Sequence, residues 1–283
     1  MVYRSRRRWL QVAAAFAAAP ASPSWLSAQP ARPDSRIVVG CDANLEASGL
    51  IASISQVMAR DTGIVAAWQA GPSGALLPTL ERGELHAALT AAPDTEALLE
   101  RQGLVHDRRI VAVTDHVLVG PPPRKATKKQ PARGDPAGVA GGRDIATALA
   151  RIAEAGGRQQ ALYFAHADAG ASRAIEQAAW TASGPQAVGE WLRTAAGGPL
   201  SALREASAAK AYALVERGVW LAHGSGTGLA VLVEGDARLV TTYRVMRAFR
   251  AAHPAGKLFV NWLSGSAGQH AVAGFGRGYR GAA

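Results

Sequence analysis

The sequence predicts an α/β protein with mostly parallel sheets, helices on both faces, and two lobes around a cleft. Three observations carry that expectation. Short apolar runs alternate with stretches of helical periodicity, the pattern of βαβ units. The middle of the chain is rich in helix, and strand character returns after it, so the chain leaves a first lobe and comes back to it. Three loops after predicted strands, 40–48, 70–74 and 165–172, are rich in small residues, and ligands of such sheets bind where helix N-termini point.

The N-terminus reads as an export signal over 1–31, ahead of the fold. Arg4, Arg6, Arg7 and Arg8 precede a short apolar run, Val12–Ala19, and the small residues Ala19-Pro20-Ala21. The run is far below the ~20 residues of a membrane span. Ser5-Arg6-Arg7-Arg8-Trp9-Leu10-Gln11 also resembles a twin-arginine signal; the alternative is an ordinary secretory signal with one extra arginine. Either route places the mature chain in the periplasm. Val38-Val39-Gly40-Cys41 matches a lipoprotein box, but Arg32, Asp34 and Arg36 stand before it, and it reads better as a strand end.

The elements follow in order. Ile37–Gly40 is an apolar strand. Leu50, Ile51, Ile54, Val57 and Met58 share one helical face, closed by Asp61-Thr62-Gly63. Ile64–Trp68 is a strand, 70–83 a loop and short helix, 85–92 a third strand, and Asp94–Gln102 a helix stopped by Gly103. Ile110–Val113 and Val117–Val119 read as two strands. Beyond the basic, Pro-rich insert 121–134, a helix is expected over Asp144–Glu154, a strand over Ala161–Phe164 and a helix over Arg173–Ala182. Helices are expected around 186–195 and 200–208, then a strand and helix within 210–224. Strands at 228–236 and 238–246 and helices near 256–264 and 266–273 finish the chain. Lobe 1 is expected to hold 36–115 and 240–283, and lobe 2 to hold 121–232, with crossings near 115–121 and 233–243.

Composition excludes several functions. Taking four signal arginines and five basic residues of the insert from the net charge of +10 leaves +1, so no basic face for nucleic acid is expected. One cysteine, Cys41, precludes a disulfide within the chain. Gly224–Leu229 is glycine-rich but lacks the lysine of a phosphate-binding loop, and no strained nucleophile elbow occurs. His106 and His116 have no evident catalytic partner. Catalysis is not expected.

Five segments resemble a known family in order: Ser48-Gly49-Leu50 with Thr62-Gly63-Ile64, Val117–Pro121 with Asp135–Val139, Ala211–Ala222, Val231–Leu239 and His253–Gln269. They resemble the periplasmic solute-binding proteins of ABC transporters, in the two-lobed oxyanion class, and within it the tungstate-binding family. The resemblance implies a type II periplasmic-binding-protein fold. It also implies a monomer that captures a small anion and meets a membrane permease, with no cofactor, resident metal or nucleic-acid partner. In that family the first loop carries a run of Thr and Ser; here those positions are Cys41, Asp42, Ala43 and Asn44. Aligned on Glu176 and Trp180, the family's arginine position is His166, and its Ser-Gly-Thr-His positions are Gly170, Ala171, Ser172 and Arg173. Asp168 matches an acid of the pattern.

Helix N-termini offer unpaired N–H groups and a positive dipole end, so facing lobes can hold an anion without metal. Cys41, Asp42, Ala43, Asn44, Ser73, Gly74, His166, Asp168, Ser172 and Arg173 are the candidate ligand contacts. Several have a plainer alternative. Asp42 either puts a negative charge in the cleft or caps a turn. His166 either donates to an anion or lies on a lobe surface. Arg173 either replaces the missing arginine or faces solvent. Cys41 lines the cleft or fills a small core space. Ser73-Gly74 contacts ligand or forms a turn. A metal reading would join Cys41, Asp42, His166 and Asp168, without diagnostic spacing. The expected function is an extracytoplasmic receptor for a tungstate- or molybdate-like oxyanion. The alternative is a sensory or scaffold protein with a degenerate cleft that takes a small organic acid or a metal.

Overall fold

The computed structural model describes residues 36–123, 134–184 and 188–282. The export signal and residues 124–133 of the basic insert lie outside the described residues.

The first third alternates as the apolar runs suggest: β1 Arg36–Asp42, α1 Ala43–Ala47, α2 Leu50–Thr62, β2 Val65–Gly71, α3 Ser73–Glu81, β3 Ala87–Thr90 and α4 Pro93–Arg101. Gly63 ends α2 at φ 71°, a left-handed cap that only glycine adopts freely. Pro93 opens α4, and the Glu96 carboxylate accepts the Ala92 N–H at 2.8 Å, closing the N-terminus in capping-box fashion. Next come the long strand β4, Val105–Gly120, then α5 Ile145–Gly157, β5 Tyr163–Ala165, α6 Ala171–Ser183 and β6 Leu192–Thr194. The chain finishes with α7 Ser201–Ala209, β7 Ala213–Glu216, α8 Arg217–His223, β8 Ala230–Val233, β9 Val240–Ala248, α9 Pro254–Ser264 and α10 Ser266–Phe275.

β1 runs parallel to both β2 and β3, and β5 runs parallel to β6. The antiparallel pairings all involve the two long strands: β9 lies between β3 and β4, and the far end of β4 pairs with β7 and β8. The α/β class expected from the sequence is the class observed.

Side chains alternate along each strand between two helix-covered faces. Ile37, Val39, Ala87, Leu89 and Val245 pack under α2, α9 and α10, whereas Ala88 and Met246 pack under α3 and α4. Farther along, Leu118 and Leu214 join the core of α5 and α6, while Val117, Val119, Ala213 and Val215 join that of α7 and α8. Nearly continuous apolar strands are the sequence mark of a sheet covered on both sides.

Two expected boundaries differ. Ile110–Val113 and Val117–Val119 form one strand. The polar residues between them stay in register because the backbone ladder continues through them, although the buried Thr114 hydroxyl itself finds no partner. Thr114 and Asp115 pair with Thr241 and Val240, and the Arg217 guanidinium grips Asp115 in two bonds of 2.6 and 2.7 Å. The helix expected around 186–195 instead contains β6, Leu192–Thr194. Gly189 stands at φ 129°, outside helical space, and the Tyr163 N–H takes the Trp191 carbonyl at 2.8 Å. Residues 185–187 lie outside the described residues.

Candidate ligand-binding site

β1 ends at Asp42, whose carboxylate immediately caps the short helix α1 by accepting the Asn44 N–H at 3.1 Å. α3 starts directly after Pro72, and α6 starts after Gly170. These three starts converge. Asp42, Ala43, Asn44, Pro72, His166, Asp168, Gly170, Ser172 and Pro199 line one small cavity of about 10 Å³. That is the space of about one water molecule.

The polar side chains here are extensively engaged with protein partners. Asp42 is buried, and its Oδ2 accepts the Ser73 hydroxyl at 2.6 Å and the Ala171 N–H at 3.4 Å. Ser73 in turn accepts the Ala91 N–H at 3.0 Å. The Asn44 side-chain amide donates to Ser172 Oγ at 3.1 Å, and Ser172 Oγ lies 2.9 Å from His116 Nε2. His116 Nδ1 sits 3.2 Å from the Thr241 hydroxyl. Burial above all lowers His116 to about 3, so its ring is neutral and mediates between two hydroxyls. Burial pushes the Asp42 carboxyl above the usual range, against the hydrogen bonds from Ser73, Asn44 and Ala171.

The loop before α6 is held from below. The His166 N–H donates to Glu176 at 2.9 Å, and the Tyr163 hydroxyl donates to the other Glu176 oxygen at 2.8 Å. His166 Nε2 lies 2.7 Å from the Leu214 carbonyl, a contact that requires the Nε2–H form. Asp168 accepts the Gly198 N–H at 3.1 Å, which draws the segment before α7 toward the cavity.

Six of the candidate contacts therefore meet at one cavity: Asp42, Ala43, Asn44, His166, Asp168 and Ser172. The others are placed elsewhere. Cys41 is buried among Val39, Leu89 and other apolar side chains, and burial raises its thiol to about 12. Ser73 lies behind Asp42 as its hydrogen-bond donor. Gly74 contributes an N–H to the Ala169 carbonyl at 3.0 Å. Arg173 turns back and donates to the His166 carbonyl at 2.6 Å, which occupies it beside the loop. Among the described residues, no three His, Cys, Asp or Glu side chains gather as a metal site would require. Pro72, Gly170 and Pro199 line the cavity without being candidates, and Glu176 and His116 support it from behind. A Pro or Gly before a helix start is a signal that could have pointed to the first two; Pro199 depends on a long-range approach.

The family model for bacterial extracellular solute-binding proteins matches residues 37–277. The chain belongs to that family. This solute-binding protein is 27% identical over 212 residues to the tungstate-binding protein TupA of Peptoclostridium acidaminophilum, covering 74% of this chain and 69% of that one. It is 30% identical over 166 residues to a Haloferax volcanii protein provisionally named an ABC transporter anion-binding protein. That match spans 59% of this chain and 44% of the relative, so the chain spans less than half of that protein's length. The crystal structure of the tungstate ABC transporter from Geobacter sulfurreducens superposes with a TM-score of 0.72 at 23% identity, covering 85% of this chain and 99% of that one. Tungstate-binding TupA from Desulfovibrio alaskensis gives 0.70 at 22% identity, covering 88% and 99%. At such identities the solved structures establish the shared fold, which is that of type II periplasmic binding proteins. Among the described residues no helix is long and apolar enough to cross a membrane.

Proposed function

We propose that this solute-binding protein is the capture receptor of an ABC transporter and binds a small oxyanion of the tungstate or molybdate kind. The observation that carries the reading is the convergence of three helix starts, at Ala43, Ser73 and Ala171, around a small cavity lined by residues from 42–44, 72, 166–172 and 199. Backbone N–H groups at such starts recognise negative charge without metal or catalysis. The tungstate-binding relatives support the same ligand class. The cleft separates residues 36–115 and 240–283 from 121–232, and Asp42, Ala43, Asn44, His166, Asp168 and Ser172 are among the residues that line it. Opening of the two parts about β4 and β9 admits the anion, and closure delivers the loaded form to a permease.

A thermal-shift and calorimetric screen tests this. Tungstate, molybdate, sulfate and phosphate are titrated against the mature chain, with small carboxylates and zinc as comparators. Saturable binding of at least one oxyanion, with none by zinc, is the expected result. Binding of zinc or a carboxylate alone overturns the reading. The mature chain starts between Ser22 and Arg32 in the periplasm, which N-terminal sequencing of exported protein tests. Export that continues after Arg6→Lys with Arg7→Lys rejects the twin-arginine route while leaving secretion intact.

A further inference from the structure

Asp42 stands in an unusual place for a receptor of anions. Its carboxylate belongs to the first part of the chain, yet it lies within hydrogen-bond reach of the N-terminus of α6 in the other part, at the Ala171 N–H. The same two oxygens take the Ser73 hydroxyl at the start of α3 and the Asn44 N–H in α1. One carboxylate thus collects donors from three separate helix starts, as a bound oxyanion would. The residue is 1% exposed, and the cavity beside it holds about 10 Å³, too little for a tetrahedral oxyanion. Among the described residues no cationic side chain pairs with Asp42, and Arg173 in the first turn of α6 is committed to the His166 carbonyl.

We propose that Asp42 is the specificity-determining residue of this site, an internal anion whose carboxylate occupies the place of the external one. A free oxyanion binds by displacing it from the Ser73 hydroxyl and the Ala171 amide. The side chain therefore sets a threshold: weakly charged or poorly hydrogen-bonding anions fail to compete, and a strong, compact acceptor succeeds. The inference rests on the oxyanion-receptor reading and adds to it the residue that selects among anions.

Asp42→Asn and Asp42→Ser test it together. Asn keeps the shape and removes the charge, while Ser also opens space and leaves a hydroxyl. Tungstate, molybdate and sulfate are titrated calorimetrically against the unaltered chain and both variants, with circular dichroism to verify folding. Both variants are expected to bind at least one of these anions roughly tenfold or more tightly than the unaltered chain, because a like charge has left the site. Equal or weaker binding by folded variants, beside clear binding by the unaltered chain, overturns the inference and leaves the receptor reading standing. Absence of binding by all three folded proteins overturns the receptor reading and the inference with it. A crystal structure of the unaltered chain grown in molybdate keeps the proposal testable if neither variant folds. The carboxylate should have left the Ala171 amide, and an anion bound with Asp42 still in place refutes displacement.

Discussion

Replacing Glu176 by alanine strips the acceptor from two buried donors at once, the His166 N–H and the Tyr163 hydroxyl. Each orphaned donor costs about 1–3 kcal/mol, so Glu176→Ala should lower stability by at least about 2 kcal/mol in urea denaturation. Glu176→Gln should recover part of this, since the Tyr163 hydroxyl can turn to accept from the new amide while the amide oxygen keeps His166. Arg173 acts at the same place by another route. Its bond to the His166 carbonyl positions the loop, so Arg173→Ala should weaken anion binding by about 1 kcal/mol, measured calorimetrically. A direct charged contact would lose about 1.5–3 kcal/mol, so the size of the loss distinguishes support from contact.

Two elements meet where α3 begins under the loop before α6. A Cβ on Gly74 would come within 3.0 Å of the Ala169 carbonyl oxygen and 3.1 Å of the Ala169 Cβ. Gly74→Ala should push these elements apart, costing about 1–3 kcal/mol by overpacking, and should lower anion affinity in parallel. Titration of apo and anion-saturated protein in urea checks both effects. A second junction is made by Glu216 at the end of β7, which accepts the hydroxyls of Tyr243 in β9 and Tyr279 after α10. Burial, its largest influence, raises the Glu216 carboxyl from 4.5 to about 8 despite those two donors. Between these values the folded chain keeps a proton that the unfolded chain has released. Stability therefore falls as pH rises through the window from 4.5 to about 8, by up to about 1.4 kcal/mol per unit from this group. Glu216→Gln should flatten the pH dependence of urea stability across that interval relative to the unaltered chain.

At the scale of the whole molecule, β4 ties two sets of cores together. Leu118 and Leu214 belong to one set, Ile37 and Val245 to the other, and β4 passes through both. On the proposed reading a ligand is held between them and binds only the folded chain. At a hundredfold excess over its dissociation constant it should add about 2.7 kcal/mol of stability, seen as a melting temperature that climbs with ligand concentration. An anion that binds by calorimetry yet leaves the melting temperature unmoved would not be bound in the folded cleft.

Much of this was legible along the chain because it depends on local periodicity. The helical face of Leu50, Ile51, Ile54 and Met58, the stop at Gly63, and the apolar runs at β1, β3 and β7 are written in neighbouring residues. So is the segment order that marks the solute-binding family, and the positions of the loops after β1 and β5. Other features were not legible, since they depend on partners far away. Thr114-Asp115-His116 looks like a strand break until Arg217 arrives to pair with Asp115, and Thr241 and Ser172 with His116, all from more than fifty residues off. Cys41 and Asp42 are adjacent, yet the first turns into the apolar core and the second into the cavity, because strand side chains alternate in direction. Arg173 is a candidate through the family resemblance, and only the folded loop shows its guanidinium spent on a carbonyl. The sequence by itself determined the α/β class, the family and the segments that meet at the cavity. Only the tertiary structure decided which side chains line that cavity, because hydrogen-bond partners of buried polar groups are chosen by long-range packing, which local pattern does not encode.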